Sequence, residues 1–417
     1  MTFGIALSGL DAAQNDLNVT ANNIANSQTT GFKSSRSNFA ELYANSNSSS
    51  STQVGSGVQL QQVEQSFSQG DIQTTGNSLD LALSGSGFFT VSQGGAQQFT
   101  RAGSFQTDSK GFVVNAAGQN LQVYAPNANG TFNTTSMTNL QIPTGQSAPA
   151  ATKTGTLDFN LPANATPPPA LPAFTPGNPN TYNQSTSMTL YDSLGAAHTA
   201  SFYFVNTAAN KWNAFEYIDG QAVNANTAPV QLTYSNTGVL TGVTDAAGGT
   251  NAAAISFGGF TPTTGAAAMN VTYNLGAGTQ YGQTFGVTSV TQNGFTTGQI
   301  SGVSVSSTGV VQANYTNGQS TSLGQIAVAN FADQQGLQQL QNTNWEQTFA
   351  SGQPVFGQAG GADFGVIQSG SLEQSNVDIT AQLVDMITAQ RAFQANATMI
   401  STDNSITQTV INIPNQQ

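Results

Sequence analysis

His198 is the only histidine in the chain, and an imidazole is the natural first candidate for proton transfer near neutral pH. A Ser-His-Asp arrangement would need it between a hydroxyl and a carboxylate. Its setting is a hairpin strand beside Phe202, however, which predicts a hydrogen-bonded structural histidine. The 19 acidic residues allow carboxylate pairs suited to glycoside hydrolysis, and Asp71 with Asp80, or Glu216 with Asp219, are the nearest to hand. Glu216 precedes Tyr217 and Ile218 in a strand-like run, where a solvated edge is the ordinary place for a glutamate. No Gly-x-Ser-x-Gly elbow occurs, and no lysine follows a glycine as a Walker A loop demands. Gly85 and Gly87 open a dinucleotide fingerprint that lacks its third glycine and its helix, so a β-turn is the better reading. With no cysteine there are no disulfides, no thiolate chemistry and few routes to a zinc site. Trp212 and Trp345 read as core or interface anchors. The expectation is a protein that is no enzyme and holds no cofactor or metal.

Composition narrows the partners. Only 6% of the 417 residues are charged, against about 25% in ordinary soluble proteins. Lys and Arg total 7 and Asp and Glu 19, giving a net charge of −12, with no basic residue between Lys211 and Arg391. Binding to nucleic acid or to an anionic membrane surface requires clustered cations, so both are excluded. The N-terminus lacks the basic and apolar regions of a secretory signal, and no window has the apolar length of a membrane span. Export by a route that leaves the N-terminus intact is one of the two remaining options, the other being a cytoplasmic protein.

Without a catalytic centre, the elements themselves become the candidate function. From Ser371 to Ile413 there is neither Gly nor Pro. Ile379, Met386, Phe393 and Ile400 recur every seven residues there, with Leu383, Ala397 and Ile411 on the intervening row. Asp378 and Asp385 favour the helix start, and Pro414 stops the run. The helix expected from Asp378 to Ile411 would be about 51 Å long at about 1.5 Å per residue. At the other end, Ser8 and Asp11 form a capping-box pattern. Phe3, Leu10, Leu17 and Ile24 repeat at heptad spacing beside Leu7 and Ala21, and the helix should end near Asn26, with Gly31 as a left-handed cap. Two terminal helices with complementary seams can pair, within one chain or between copies.

Between them the pattern is β. Asn45 to Gln53 is a Ser- and Asn-rich loop, and period two follows from Gln59, with Leu79, Leu81 and Leu83 alternating with polar residues. Val113 and Val123 flank a turn at Ala116 to Gly118. Seven of the 14 prolines fall between Pro162 and Pro179 and mark a boundary or surface connection. Met188 and Leu190, a turn at Asp192 to Gly195, and His198 to Phe204 make a hairpin, and alternation resumes from Val303 to Asn330. The predicted fold is mixed and multidomain: paired terminal helices forming a coiled-coil-like inner domain, and two mainly antiparallel β domains nested in the chain. The expected divisions are 1–34 with 371–417 for the helices, 35–70 with 364–370 as connection, 71–145 with 293–363 as the first β domain, and 146–292 as an inserted outer β domain.

The run from Ala21 to Lys33, ANNIANSQTTGFK, resembles the N-terminal signature of the bacterial flagellar rod and hook axial family. Ser375 to Asp378, Leu383 to Ile387 and Ala389 to Ala397 are similar to that family's other end. Gly76 to Ala82, Gly87 to Phe89 and Phe99 to Phe105 resemble its first β domain, while Met188 to His198 and Phe202 to Val205 resemble the outer domain that hook members carry and the shorter distal rod members lack. Membership implies a homopolymer: a tube whose inner wall is lined by the terminal helices, with Phe3, Leu7, Leu10, Leu17, Ala21, Ile24, Ile379, Leu383, Met386, Phe393, Ala397, Ile400 and Ile411 in the assembly seam. It also implies an extracellular location, contact with a distal rod protein, a hook cap protein and a hook-filament junction protein, and passage through the flagellar export apparatus. A distal rod protein, a β-rich secreted adhesin and a glycan hydrolase are the alternatives.

Overall fold

The structure, a computed structural model, describes residues 2–42, 55–170, 173–223, 229–244, 250 and 254–412. The Ser- and Asn-rich run at 45–53 lies outside them. The chain forms two compact units, the first comprising Met1–Thr144, Ser301–Asn314 and Ser320–Gln417, the second Gly145–Ile300 and Tyr315–Gln319.

In the first unit, strand Ser320–Asn330 neighbours Asn120–Pro126, with Ile326 opposite Val123, and also Phe88–Gln93, with Val328 opposite Phe89. Late chain is thereby built into early chain. Phe88, Phe99, Phe331 and Trp345 fill the core there, with Phe99 and Phe331 edge to face at 4.8 Å. Leu81, Ala82 and Leu83 are all buried in strand Leu81–Ser84. The expected alternation of Leu79, Leu81 and Leu83 with polar residues therefore fails, because this short strand is covered on both faces. Two short antiparallel pairings close the unit: Leu81–Ser84 with Val366–Ser369, and Ile72–Thr74 with Ser371–Glu373. The hairpin Ser35–Glu41 with Val58–Gln65 precedes them.

In the second unit, the hairpin read from Met188 to Phe204 pairs Gln184–Tyr191 with Ala197–Ala208. Lys211–Ile218, Val230–Tyr234 and Leu240–Thr244 extend the sheet. Its alternation sends Phe202, Phe204, Trp212, Ala214 and Ile218 to one buried face. Leu157, Phe159 and Leu161 of strand Thr154–Pro162 join the same core. That strand pairs in parallel with Thr272–Asn274 and Thr279–Tyr281 and antiparallel with Gly286–Gln292, so the sheets are mainly but not wholly antiparallel. Pro162 ends it, where its missing N–H costs no ladder bond.

Candidate functional site: the terminal helices and their junction

Helix α1 spans Thr2–Ala25 and helix α2 spans Ile379–Asn412. Asp378 caps α2: its Oδ1 accepts from the Thr380 and Ala381 amides at 2.8 and 3.2 Å. Ser8 does not cap α1, which begins six residues earlier; its hydroxyl donates to the Ile5 carbonyl at 2.8 Å and accepts from the Val58 amide at 3.2 Å. The capping-box expectation is corrected accordingly. A serine inside a helix satisfies its own hydroxyl with the preceding turn.

The helices run antiparallel. Asn23 Nδ2 donates to Gln382 Oε1 at 2.8 Å, and a Cβ on Gly9 would come within 2.8 Å of the Asn396 side chain. On α2 the covered row is Gln382, Met386, Ala389, Phe393, Asn396 and Ile400; on α1 it is Ala6, Gly9, Ala13, Asp16, Thr20 and Asn23. Large side chains on one helix thus meet small ones on the other, which lets the backbones approach closely. Burial, and to a lesser degree the Asp385 charge, raises the pKa of Asp16 within this contact.

Within the chain the two apolar heptad rows are therefore not the pair of faces that meet. Phe3, Leu7 and Ala21 are exposed, and Leu10, Leu17 and Ile24 are half-buried beside the covered row rather than in it. On α2, Met386, Phe393, Ala397 and Ile400 are half-buried, whereas Ile379 and Leu383 are exposed; the side chain of Ile411 lies outside the described residues. A row of leucines on α1 would hold the helices apart, so the small row packs and the large row stays open. Continuing the register puts Thr2 opposite Asp403, so residues 404–412 extend about 14 Å past α1.

Beneath the helices, the segments that lead into them meet at three buried charges. Lys33 Nζ lies 2.7 Å from Glu373 Oε1 and donates to the Ser68 carbonyl at 2.7 Å. Arg101 Nη1 reaches Glu373 Oε2 at 3.3 Å, with its guanidinium 5.3 Å from the centre of the Phe88 ring. Gly70 N–H donates to the same Glu373 Oε1 at 3.0 Å. Lys33 and Glu373 side chains are 0% exposed and Arg101 3%. Burial pushes the pKa of Lys33 and of Arg101 below their ordinary values, and the Glu373 charge only partly restores them. Gly31, six residues beyond the end of α1, takes the left-handed φ of 69° and donates to the Glu373 carbonyl at 2.9 Å. Asn376 adds a polar staple, donating to the Ser66 carbonyl at 2.8 Å and accepting from the Ser34 amide at 2.8 Å.

The second unit holds His198, Glu216 and Asp219, while Asp71 and Asp80 belong to the first. His198 Nδ1 is 2.6 Å from Asp219 Oδ2, and Nε2 is 3.3 Å from Asp192 Oδ2, which also accepts from the Thr264 hydroxyl at 3.1 Å. Burial disfavours the imidazolium, but the hydrogen bonds and charges of Asp219 and Asp192 outweigh it and raise the pKa. Both ring nitrogens therefore face carboxylates, and neither faces a nucleophile. Glu216 is not at a solvated edge as expected: it is 6% exposed on the core face of its strand, where it accepts from the Tyr273 hydroxyl. Burial drives its pKa up to about 7. Glu216 and Asp219 thus face different partners, Tyr273 and His198. Trp212 and Trp345 are both buried in cores.

Four family models match in chain order: "Flagella basal body rod protein" at 3–33, "Flagellar hook protein FlgE/F/G D1 domain" at 82–159, "Flagellar basal body protein FlaE D2 domain" at 160–295, and "Flagellar basal body rod FlgEFG protein C-terminal" at 368–413. The flagellar hook protein FlgE of Escherichia coli (strain K12) is 36% identical over 99% of this chain and 100% of its own length. That of Borreliella burgdorferi is 33% identical over 98% of each. The chain belongs to the flagellar hook protein family. The crystal structure of Helicobacter pylori flagellar hook protein FlgE2 shares the fold, with a TM-score of 0.53 at 14% identity over 72% of this chain and 100% of that one.

In this hook-family chain the three buried charges come from three different matched segments: Lys33 closes the first, Arg101 lies in the second and Glu373 in the last. Sequence reading quoted Lys33 and Arg101 within motifs but gave them no role, and it passed over Glu373. The usable signal was scarcity, since in a chain with 7 basic residues each one invites the question of its partner.

Proposed function

We propose that the chain is the structural subunit of the bacterial flagellar hook, polymerising head to tail into a curved, flexible tube that carries torque from rod to filament. Contacts that do not close into a ring generate such an open helical polymer. The observation that carries this is the uncovered apolar surface of the terminal helices. Leu7, Ile387 and Val410 are 43%, 49% and 58% exposed, as are residues of similar type along both helices. A chain with 6% charged residues and open apolar helix faces has its partner in another copy of itself. The Phe3, Leu7, Leu10, Leu17, Ala21, Ile24 row and the Ile379, Leu383, Met386, Phe393, Ala397, Ile400, Ile411 row are the proposed subunit seam, to which the half-buried Met386, Phe393 and Ile400 offer only the surface that α1 leaves open.

In this reading the helices order fully on assembly and form the inner wall, 71–145 with 293–363 forms a first β layer, and 146–292 forms an outer one. Amide and hydroxyl contacts between outer layers exchange partners cheaply as protofilaments lengthen and shorten. A distal rod protein, a cap protein and a junction protein would meet the two ends of the tube. The chain would leave the cell through the flagellar export apparatus, and its role is mechanical, not enzymatic. Among the described residues no helix is long and apolar enough to cross a membrane. Electron microscopy of the concentrated protein tests the proposal: curved tubes are expected, and the absence of any polymer refutes it. Removing the last forty or so residues should leave a soluble β protein that forms no tubes.

A further inference from the structure

We infer that Lys33, Arg101 and Glu373 form a non-sliding lock that fixes the roots of both terminal helices to the β structure, and that assembly depends on this lock more than folding does. The inference rests on the tube-forming reading above. Three observations lead to it.

The first is energetic. Taking three charges out of water costs several kcal/mol per ion, which ion pairing often fails to recover against an apolar alternative. Lys33 and Glu373 are fully buried, and Arg101 Nε has no hydrogen-bond partner among the described residues. Stability is therefore a poor reason for the cluster. The second is placement. Lys33 follows α1 by eight residues, Glu373 precedes α2 by six, and Arg101 and Gly70 lie in connections between the strands of the same unit. The two ion pairs join chain segments 340 and 272 residues apart. The third is mechanical. An apolar contact tolerates a shift of an ångström at little cost, whereas a buried carboxylate held by an ammonium, a guanidinium and an amide has one satisfied position. Gly31 shows how tight the fit is: a Cβ there would stand 2.5 Å from the Ala102 amide nitrogen. The helices can thus be presented to neighbouring copies in only one register, and load applied to the β layer reaches them without slip at the root.

The test uses the full chain. Lys33→Met/Arg101→Met/Glu373→Gln removes all three charges while keeping volume and an acceptor for Gly70 N–H. Its melting temperature should stay close to that of the wild type. Tube formation should slow by about tenfold or more, and amide exchange at residues 26–34 and 371–378 should speed up by a similar factor. Wild-type rates of tube formation by this variant would overturn the lock. Should the triple variant fail to fold, Glu373→Asp keeps the charge but draws the carboxylate back by one methylene. Folded monomers that assemble slowly are the expected result, and normal assembly again overturns the inference. Wild-type protein run alongside separates the two ideas, because its failure to form tubes refutes the assembly reading itself.

Discussion

Glu216 makes the second unit sensitive to pH in a direction that can be worked out beforehand. Its carboxyl titrates near 4.5 when exposed and at about 7 in the fold, where burial is the dominant cause and the Tyr273 hydroxyl only partly compensates. Among the described residues no ion pair includes it. A carboxyl with a raised folded pKa contributes stability that is fully present below its unfolded value and is lost as pH rises through the folded one. The window therefore runs from about pH 4.5 to pH 7, and the loss is about 3 kcal/mol at about 1.4 kcal/mol per pKa unit. Glu216→Gln keeps an acceptor for Tyr273 and removes the titration. The stability difference, variant minus wild type, should grow by about 3 kcal/mol from pH 4.5 to pH 8. Urea unfolding followed by Trp212 fluorescence in a Trp345→Phe background reads the second unit alone, since the chain has 2 tryptophans and these two sit in separate units. A difference that stays flat across this range would show that Glu216 is ionised in the fold at little cost, and the account of its burial would be wrong.

His198 should add to the same trend. Its raised pKa means that the stability from its two carboxylate partners is present below about 6.5 and lost as pH rises through the folded value, so a His198→Gln protein should be least stable relative to wild type at about pH 6 and recover ground above it, as urea midpoints will show. Gly31→Ala forces a Cβ into the Arg101–Ala102 backbone at a positive φ, and a loss of about 2 kcal/mol or more in the first unit is expected by thermal unfolding. Phe393→Asp places a charge on the covered row of α2, so amide protection of residues 6–20 in α1 should fall while both β cores stay intact by circular dichroism.

What could be read from the sequence was what local spacing decides. The Asp192–Gly195 turn follows from residues in contact with one another, since Asp192 Oδ1 accepts from the Leu194 and Ala196 amides at 2.9 and 2.8 Å. The helices announce themselves by their lack of Gly and Pro or by their heptads. Which faces of them meet did not, because Ala6, Gly9 and Ala13 carry no hydrophobic signal, and close approach rewards smallness over apolarity. The burial of Glu216 was legible and passed over: it shares the period-two face of Trp212, Ala214 and Ile218. Glu373 was not, because its partners lie 340 and 272 residues away and only the closed fold brings them together. The strand at Ser35–Glu41 was absorbed into a connecting segment because its residues are mostly polar.

The nine residues of α2 that outrun α1 give every subunit an unfinished tip. In the tube proposed above each such tip would meet the next copy, except at one terminus, where it would stay bare. The two termini of a tube are then chemically unlike: one displays Ile406 and Val410 to the solvent, and the other displays the surface that would receive them. A polymer with this asymmetry would have a built-in direction, its two ends distinguishable by whether an apolar helix end is bare.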